Sequence, residues 1–558
     1  MGAFSRKHAH MVSRDMNEVT HQKSLLLVED QEQFYAPISR WLAEEGYQVT
    51  LASSLTDAQT CLETGHYHLA IVDIRLQDDD PPNQEGMKLL EEIERRGLNG
   101  VMPCVVLTAY ANVQNILTAT QVRHVARFIE KNPGYGAELL TAVRTQFTET
   151  IGINFDLIYD LDAEQLIPQI ATDINWETPP KPAAAVLVPQ VYDLFGRLFA
   201  KARRLFVAKL KPGLTGAAVV FAQPTWTFGM GPAYVVKIGR REKARLEGQR
   251  YNDFVKPYLP PDTTTQVDVT FTQHLGALQY RFAESDFRPL KEFDEFYETR
   301  SAKEIITSLQ NLFQTTGRYW YDRPERRFAD LTQLYYAAFQ LDEAKLHGRI
   351  REIIPDFTPE QPFLTLPPDN TQIDNPIAWL TQHHGECVMA VYHCITHGDL
   401  TGRNIMVSEQ GRCWLIDFYR THESHILRDF VILETDIKYR LLPAIDDATF
   451  TRLEQTLLAA APTETEGVTA VTLPPTVHKA AQILLALHAI AYDFLRGRSR
   501  DRQDTRQEYL ISLLMATLNV ARLRHIPASR KLQAMRSASY ICAELDKLAG
   551  RTAKTLRV

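Results

Sequence analysis

The sequence predicts a multidomain chain: a doubly wound α/β domain with a five-stranded parallel sheet, then a larger bilobal α+β domain whose second half is mostly helical. Two patterns carry this reading. Near the N terminus, short continuous apolar runs that end in acids alternate with helical periodicities, as expected of strands buried on both faces. Further on, a tight loop and hairpin hold two aspartates and an asparagine at close spacing, after a β-rich stretch and among long helical periodicities.

Lys23 to Asp30 reads KSLLLVED, an apolar run closed by two acids. A helical pattern follows (Ile38, Trp41, Leu42), then a short strand Tyr47–Leu51 and a second helical pattern over Ala58, Cys61 and Leu62. Leu69–Asp73, Cys104–Thr108 and Ala126–Ile129 complete the five strands. Polar residues fall at the carboxyl ends of these strands, the edge where such folds bind ligands. They are Glu29 and Asp30, Asp73, Thr108 and, after the fifth strand, Lys131. Three gathered carboxylates repel one another unless a cation sits among them, and hard oxygen donors suit Mg²⁺. The lysine supplies a second positive charge.

Composition sets the outer limits. The chain has 558 residues, 45% hydrophobic and 23% charged, which is ordinary for a globular protein of several domains. A formal net charge of −7 argues against nucleic acid as the main partner, and no helix-turn-helix signature stands out. The six cysteines (Cys61, Cys104, Cys387, Cys394, Cys413, Cys542) form no CxxC pair, so reduced, buried thiols are expected. The most apolar helical stretch, Ala480–Leu495, holds Gln482, His488 and Asp493 and reads as a core helix rather than a membrane span. With no apolar leader, a cytoplasmic location is expected.

The five signature positions of residues 23–147 resemble the receiver domain of two-component response regulators. The resemblance implies that Asp73 accepts a phosphoryl group from a sensor histidine kinase. It also implies that Asp30 and Asp73 ligate Mg²⁺ directly and Glu29 through water. Thr108 and Phe128 are then switch residues and Lys131 offsets the charge of the transferring group. Coupling is expected through the face formed by the fourth and fifth strand–helix units, with a homodimer as one outcome. Two departures are visible. The loop from Arg75 to Gly86 is long, and Lys131 is followed by Asn132 before Pro133, which puts the family's usual cis peptide there in question.

Residues 1–22 read as a disordered leader and residues 148–190 as a linker, because Trp176–Pro182 is proline-rich. Within the linker an amphipathic piece runs from Leu157 to Ile170.

The most informative stretch of the second domain is Ile395–Phe418, ITHGDLTGRNIMVSEQGRCWLIDF. Asp399 and Asn404 share one tight loop, and the hairpin over Ile405–Val407 and Trp414–Ile416 returns Asp417 beside them. One carboxylate can then accept a hydroxyl proton while Asn404 and Asp417 hold Mg²⁺ on ATP. This resembles the kinase-like phosphotransferases, nearer the aminoglycoside and choline kinase branch than protein kinases. The triplet is HGD, Phe418-Tyr419 follows Asp417, and little chain separates Asp417 from Asp429. More loosely, the domain resembles the ternary complex-associated class.

The resemblance implies a base at Asp399, structural roles for His397 and Asp429, and an N-lobe over 191–290. There Gly213 and Gly216 would approach the phosphates of Mg-ATP, and Lys237 would pair with Glu247, with Glu242 the alternative. Residues 291–558 would form an enlarged helical C-lobe. The basic run Arg496–Arg502 reads as a solvated loop, and His383, His384 and His393 as surface or core residues. The function so expected is a response regulator controlling an ATP- and Mg-dependent phosphotransferase that acts on an unidentified, small or non-peptide hydroxyl acceptor. The alternative is a pseudokinase scaffold that binds nucleotide or a partner without turnover.

Overall fold

The computed structural model describes residues 21–76, 84–109, 125–176, 181–210, 216–259, 265–281, 290–460, 473–495 and 502–551. Gly213, most of the leader, most of the long loop after Asp73, Pro179 and Pro180, and the basic run from Arg496 lie outside the described residues, as does the side chain of Arg502. The chain divides into two compact units. One comprises the residues up to Gly231 together with Val236–Glu242 and Thr270–Ala277, and the other comprises the remainder.

The first unit opens with β1 (Ser24–Val28), α1 (Glu32–Glu44), β2 (Gln48–Ala52), α2 (Leu55–Thr64), β3 (Leu69–Val72), α3 (Glu85–Arg95), β4 (Cys104–Thr108), β5 (Arg127–Glu130) and α4 (Tyr135–Thr145). The strands lie in the order β2-β1-β3-β4-β5, all parallel, with Leu25 opposite Leu69 and Val106 opposite Phe128. Alternation explains why every residue of β1, β3 and β4 is apolar or small up to the closing Thr108. Leu26, Val28, Ala70, Val72 and Val106 pack on α2 and α3. Leu25, Leu27, Leu69, Ile71, Val105 and Leu107 pack on α1 and α4. A sheet covered on both faces leaves no polar face to alternate with.

The expected linker is corrected. Residues 148–190 hold β6 (Ile158–Tyr159), α5 (Leu161–Asp173) and the first part of α6 (Ala184–Leu198). Both helices run through a proline, Pro168 and Pro189, because each has a full apolar face to bury. In α5 that face is Ala163, Leu166, Ile167, Ile170 and Ala171. Packing outweighs a lost backbone hydrogen bond. β6 lies parallel to β7 (Arg204–Lys209), which pairs antiparallel with β8 (Ala218–Trp226), and β9 (Gly229–Met230) turns back to pair antiparallel with the end of β8. β10 (Tyr234–Arg240), α7 (Arg241–Arg250), β11 (Gln266–Phe271) and β12 (Leu275–Arg281) follow.

The second unit is largely helical, with long helices at Pro475–Leu495, Arg502–Val520 and Ala528–Leu548. Its strands are β13 (Lys291–Glu292), β14 (Glu325–Asp330), β15 (Phe363–Leu366), β16 (Thr371–Asp374), β17 (Val388–Thr396), β18 (Ile405–Val407), β19 (Cys413–Leu415) and β20 (His422–His425). They form two three-stranded sheets, β13-β18-β19 and β14-β17-β20, and the hairpin β15-β16. The region 291–558, expected as an enlarged helical C-lobe, thus also contains strands. β14 reads ERRFAD, too polar to signal a strand, and takes its conformation from pairing with β17.

Leu27 is buried between β1's neighbours and α1. Leu27→Ala should cost about 2–5 kcal/mol by transfer and cavity terms, read as a lower denaturant midpoint of the first unit. Arg40→Ala, on the exposed side of α1, should stay within about 0.5 kcal/mol.

Candidate functional site

Strand order places the first site. β1 lies between β2 and β3, so the chain reverses direction of winding there and a crevice opens beyond the carboxyl ends. Glu29 and Asp30 follow β1, Asp73 follows β3, Thr108 closes β4 and Lys131 follows β5. Glu29, Asp30 and Asp73 bring one oxygen each within 4.8 Å of one another. Lys131 Nζ donates to Glu29 Oε2 at 2.6 Å and to Asp73 Oδ2 at 2.7 Å. The Lys131 N–H donates to Thr108 O at 2.8 Å, which pins the lysine to the end of β4. The Thr108 side chain bonds the Asp73 carboxylate. Phe128 is half-buried against the α2/α3 side of the core. The Asn132–Pro133 peptide is trans; among the described residues the cis bond is at Pro367–Pro368.

Sequence reasoning missed Phe34. Its ring lies 4.0 Å from Lys131 Nζ, so the ammonium is held by a π face as well as by carboxylates. Its signal would have been an aromatic one turn into the helix that follows the acidic pair.

Burial dominates the electrostatics. It raises the Glu29 carboxyl to about 7, with Lys131 opposing and Asp73 adding to the rise. Burial raises Asp73 as well, against Lys131, the Arg75 N–H and Thr108. For Lys131 burial works downward, but Asp73 and Glu29 outweigh it and the ammonium titrates above its usual value. Two buried acids whose ionisation is held back are a strained set that a divalent cation relieves. Three carboxylates with oxygen donors only are the donor chemistry of Mg²⁺. Glu29, Asp30 and Asp73 would hold it.

The second unit builds a different arrangement. β18 pairs with β19, Ile405 opposite Leu415, which brings Asn404 and Asp417 to one end of the hairpin. Asn404 Nδ2 donates to Asp399 O at 2.7 Å, and Ile416 N–H to Asn404 O at 3.1 Å. The His397 and Gly398 N–H groups both donate to the buried Asp429 carboxylate, at 2.7 and 2.8 Å, and Tyr321 OH gives it a third bond at 2.8 Å. His397 Nε2–H donates to Ile416 O at 2.9 Å, tying the loop to the hairpin. His397 and Asp429 thus hold the loop's backbone in place. Gly398 has φ +80, and a Cβ there would lie 2.3 Å from Arg420 O, so glycine is required. Burial raises the Asp399 carboxyl, Arg420 opposes this and Asp417 reinforces it.

The remaining expected residues fall as follows. Lys237 is buried on β10 and Glu247 on α7. Glu247 accepts a hydrogen bond from Tyr280 OH, a partner the sequence did not suggest. The Asp417 backbone also bonds that hydroxyl. Gly216 has φ +73, but the close approach it permits is to Asn175, whose Cβ would lie 2.7 Å from an added Cβ. Arg428, also unanticipated, is fully buried and donates to Gly398 O at 2.9 Å.

Residues 202–341 and 343–520, more than half of the chain, match the family model of Ternary complex associated domain 9. The chain belongs to that family. Residues 25–144 match the model of the response regulator receiver domain, so this TCAD9 protein carries a receiver at its N-terminal end. Among curated proteins it is similar to the photosynthetic apparatus regulatory protein RegA of Rhodobacter capsulatus, 24% identical over 20% of this chain and 57% of that one. It is also similar to the transcriptional regulatory protein DltR of Streptococcus agalactiae, 35% identical over 15% of this chain and 35% of that one. The match spans less than two thirds of either relative. Two solved structures are each 27% identical over 23% of this chain, with a TM-score of 0.21. One is a CheY-like receiver domain protein from Methanospirillum hungatei, 96% covered, and the other the non-phosphorylated HemR receiver domain from Leptospira biflexa, 97% covered. Among the described residues no helix is long and apolar enough to cross a membrane.

Because protons and Mg²⁺ compete for Glu29, Mg²⁺ affinity measured by calorimetry should rise with pH through about 7. Without metal the sign for stability is opposite. A carboxyl whose pKa is raised on folding stabilises at low pH, and that contribution is lost as pH climbs through about 7. Asp429→Ala leaves two buried N–H groups and the Tyr321 hydroxyl without their acceptor, at about 1–3 kcal/mol each. Chemical denaturation of the second unit should register that loss.

Proposed function

We propose that the protein is a response regulator in which phosphorylation of Asp73 by a sensor histidine kinase controls a Mg-ATP-dependent phosphotransferase centred on Asp399. For the first half, an Asp73 oxygen attacks the phosphohistidine phosphorus, the N–P bond breaks and an acyl phosphate forms on the carboxylate. Lys131 is placed to neutralise charge on the arriving phosphoryl oxygens, and Thr108 to donate a hydrogen bond to them. Bound Mg²⁺ would supply further neutralisation.

For the second half, the observation that carries the reading is the loop geometry in the second unit. Asp399 is fixed by Asn404 on one side and by the Asp429-anchored peptide on the other, and its carboxyl is biased by burial toward taking a proton. Asn404 and Asp417 would hold the metal of Mg-ATP. The acceptor would present a hydroxyl to Asp399.

A second reading, a nucleotide-binding scaffold without turnover, is favoured by Tyr280. Its hydroxyl donates to Glu247 and holds that buried carboxylate in a structural bond.

Asp399→Ala should lower ATP turnover by about 10²–10⁴-fold while leaving Mg-ATP affinity nearly unchanged. Single-turnover and binding assays on the full chain separate the readings. Binding without turnover in the unsubstituted protein selects the scaffold, and turnover indifferent to Asp399→Ala rejects the phosphotransferase.

A further inference from the structure

The helix α6 lies between the two family regions, after residue 144 and before residue 202. Asp193 and Arg197 sit one turn apart on it. Asp193 is buried and its carboxylate is ringed by imidazoles. His66 Nε2 lies 2.5 Å from Oδ2, His68 Nε2 lies 3.1 Å from Oδ1, and His21 Nε2 also contacts Oδ1. The Ser24 N–H donates to His68 Nδ1 at 2.9 Å, so the ring proton of His68 is on Nε2 and points at Asp193. This decides the chemistry of the cluster. His21, His68 and Asp193 bring donor atoms within 4.8 Å of one another, as a metal site would. With its Nδ1 lone pair taken and its Nε2 protonated, however, His68 has none left for a metal. The cluster is a hydrogen-bonded clasp. Arg197 donates to Val101 O at 3.3 Å.

These contacts grip two particular strands. His68 immediately precedes β3, and Val101 lies just before β4. The other ends of β3 and β4 carry Asp73 and Thr108. Each strand, about 13 Å long for β3 and about 17 Å for β4 at roughly 3.3 Å per residue, therefore joins a phosphorylation-site residue to a contact with α6. The same edge of the sheet is held elsewhere in this unit. Arg241 donates to Gly97 O at 2.5 Å, and Gln273 Nε2 to Leu62 O. The expected coupling face, built on the fourth and fifth strand–helix units, includes residues outside those described.

We propose that α6, through Asp193 and Arg197, couples the phosphorylation site to the rest of the chain by way of β3 and β4. The strands act as stiff rods between the acyl phosphate and the clasp. A shift of Asp73 and Thr108 toward the phosphoryl group changes the fit of Asp193 against His66 and His68, and of Arg197 against Val101. This deepens the receiver reading of Asp73 and is independent of the phosphotransferase reading.

Linkage gives a test that needs no knowledge of the output. If α6 responds to the phosphoryl state, altering α6 must change affinity for a phosphoryl analogue by the same factor. Beryllofluoride with Mg²⁺ is titrated into the full chain by calorimetry. Asp193→Asn and Arg197→Met should each shift its affinity by about fivefold or more, whereas Lys201→Ala, exposed beyond the helix, should not. Folding of each variant is checked by hydrogen exchange of β1. In the unsubstituted protein the analogue should change exchange at residues 66–69, at residues 101–104 and along α6, a readout that stands even if a variant fails to fold. Unchanged affinity in a folded Asp193→Asn protein overturns the proposal, as does unchanged exchange in those segments when beryllofluoride saturates Asp73. Loss of beryllofluoride binding by the unsubstituted chain itself would instead overturn the receiver reading.

Discussion

Everything at the first site depends on burying Lys131 between Glu29 and Asp73. An isolated buried carboxylate is costly, and two side by side repel each other as well. The lysine ammonium, at 2.6 and 2.7 Å from the two, offsets part of that cost, and the Phe34 ring covers it from another side. The compensation is incomplete: burial still raises both acids. That residue of unfavourable energy makes the site responsive. A divalent cation would bind where protons otherwise bind, and under the proposed function a phosphoryl group would replace one carboxylate charge with a group facing Lys131 and Thr108. The parallel sheet makes this possible by delivering residues from four strand ends to one edge without bending any strand.

The second unit uses a buried carboxylate for the opposite purpose. Asp429 accepts two backbone N–H groups and a tyrosine hydroxyl, so its charge is spread over three donors. Arg428, the residue before it, takes the carbonyl of Gly398. The two side chains hold the N–H and the C=O of Gly398, whose backbone has little freedom left. Asp399, next along, inherits that rigidity, and Asn404 fixes its carbonyl from the other side. At the first site the carboxylates remain available to a ligand; at Asp429 they are consumed in holding a loop.

How much of this was legible follows from how local each signal is. The five strands and their terminal acids could be read because a doubly covered parallel strand is an uninterrupted apolar run, and its end is where polarity returns. The HGD loop could be read because its residues, His397 to Asn404, lie close together along the chain. What could not be read depends on partners distant in sequence. β14 is a strand only because β17 lies beside it, and its own residues, ERRFAD, carry no apolar alternation. Tyr280 meets Glu247, and Phe34 meets Lys131, through folding that brings together segments with no spacing rule between them. Gly216 carried a phosphate-loop pattern, yet the space its missing Cβ leaves is taken by Asn175.

The stretch 148–190 is the most instructive case, because composition pointed one way and packing the other. The proline-rich run Trp176–Pro182 resembles a spacer, and the helices on either side of it each contain a proline, Pro168 and Pro189. A proline inside a helix removes one hydrogen bond and crowds the preceding turn, a cost of about 3 kcal/mol in an exposed helix. Each of these helices buries five or more side chains against its own unit, and at about 1.5–3 kcal/mol for each large apolar residue buried the balance favours helix. The same burial brings Asp193 and Arg197 to the starts of β3 and β4. A flexible spacer between a receiver and its output would leave the two free of each other, so that phosphorylation could act only by exposing a new surface. A packed helix with a buried carboxylate at its centre cannot be indifferent to the strands it touches. Any change in their position must be met either by moving the helix or by breaking hydrogen bonds that have no water to replace them.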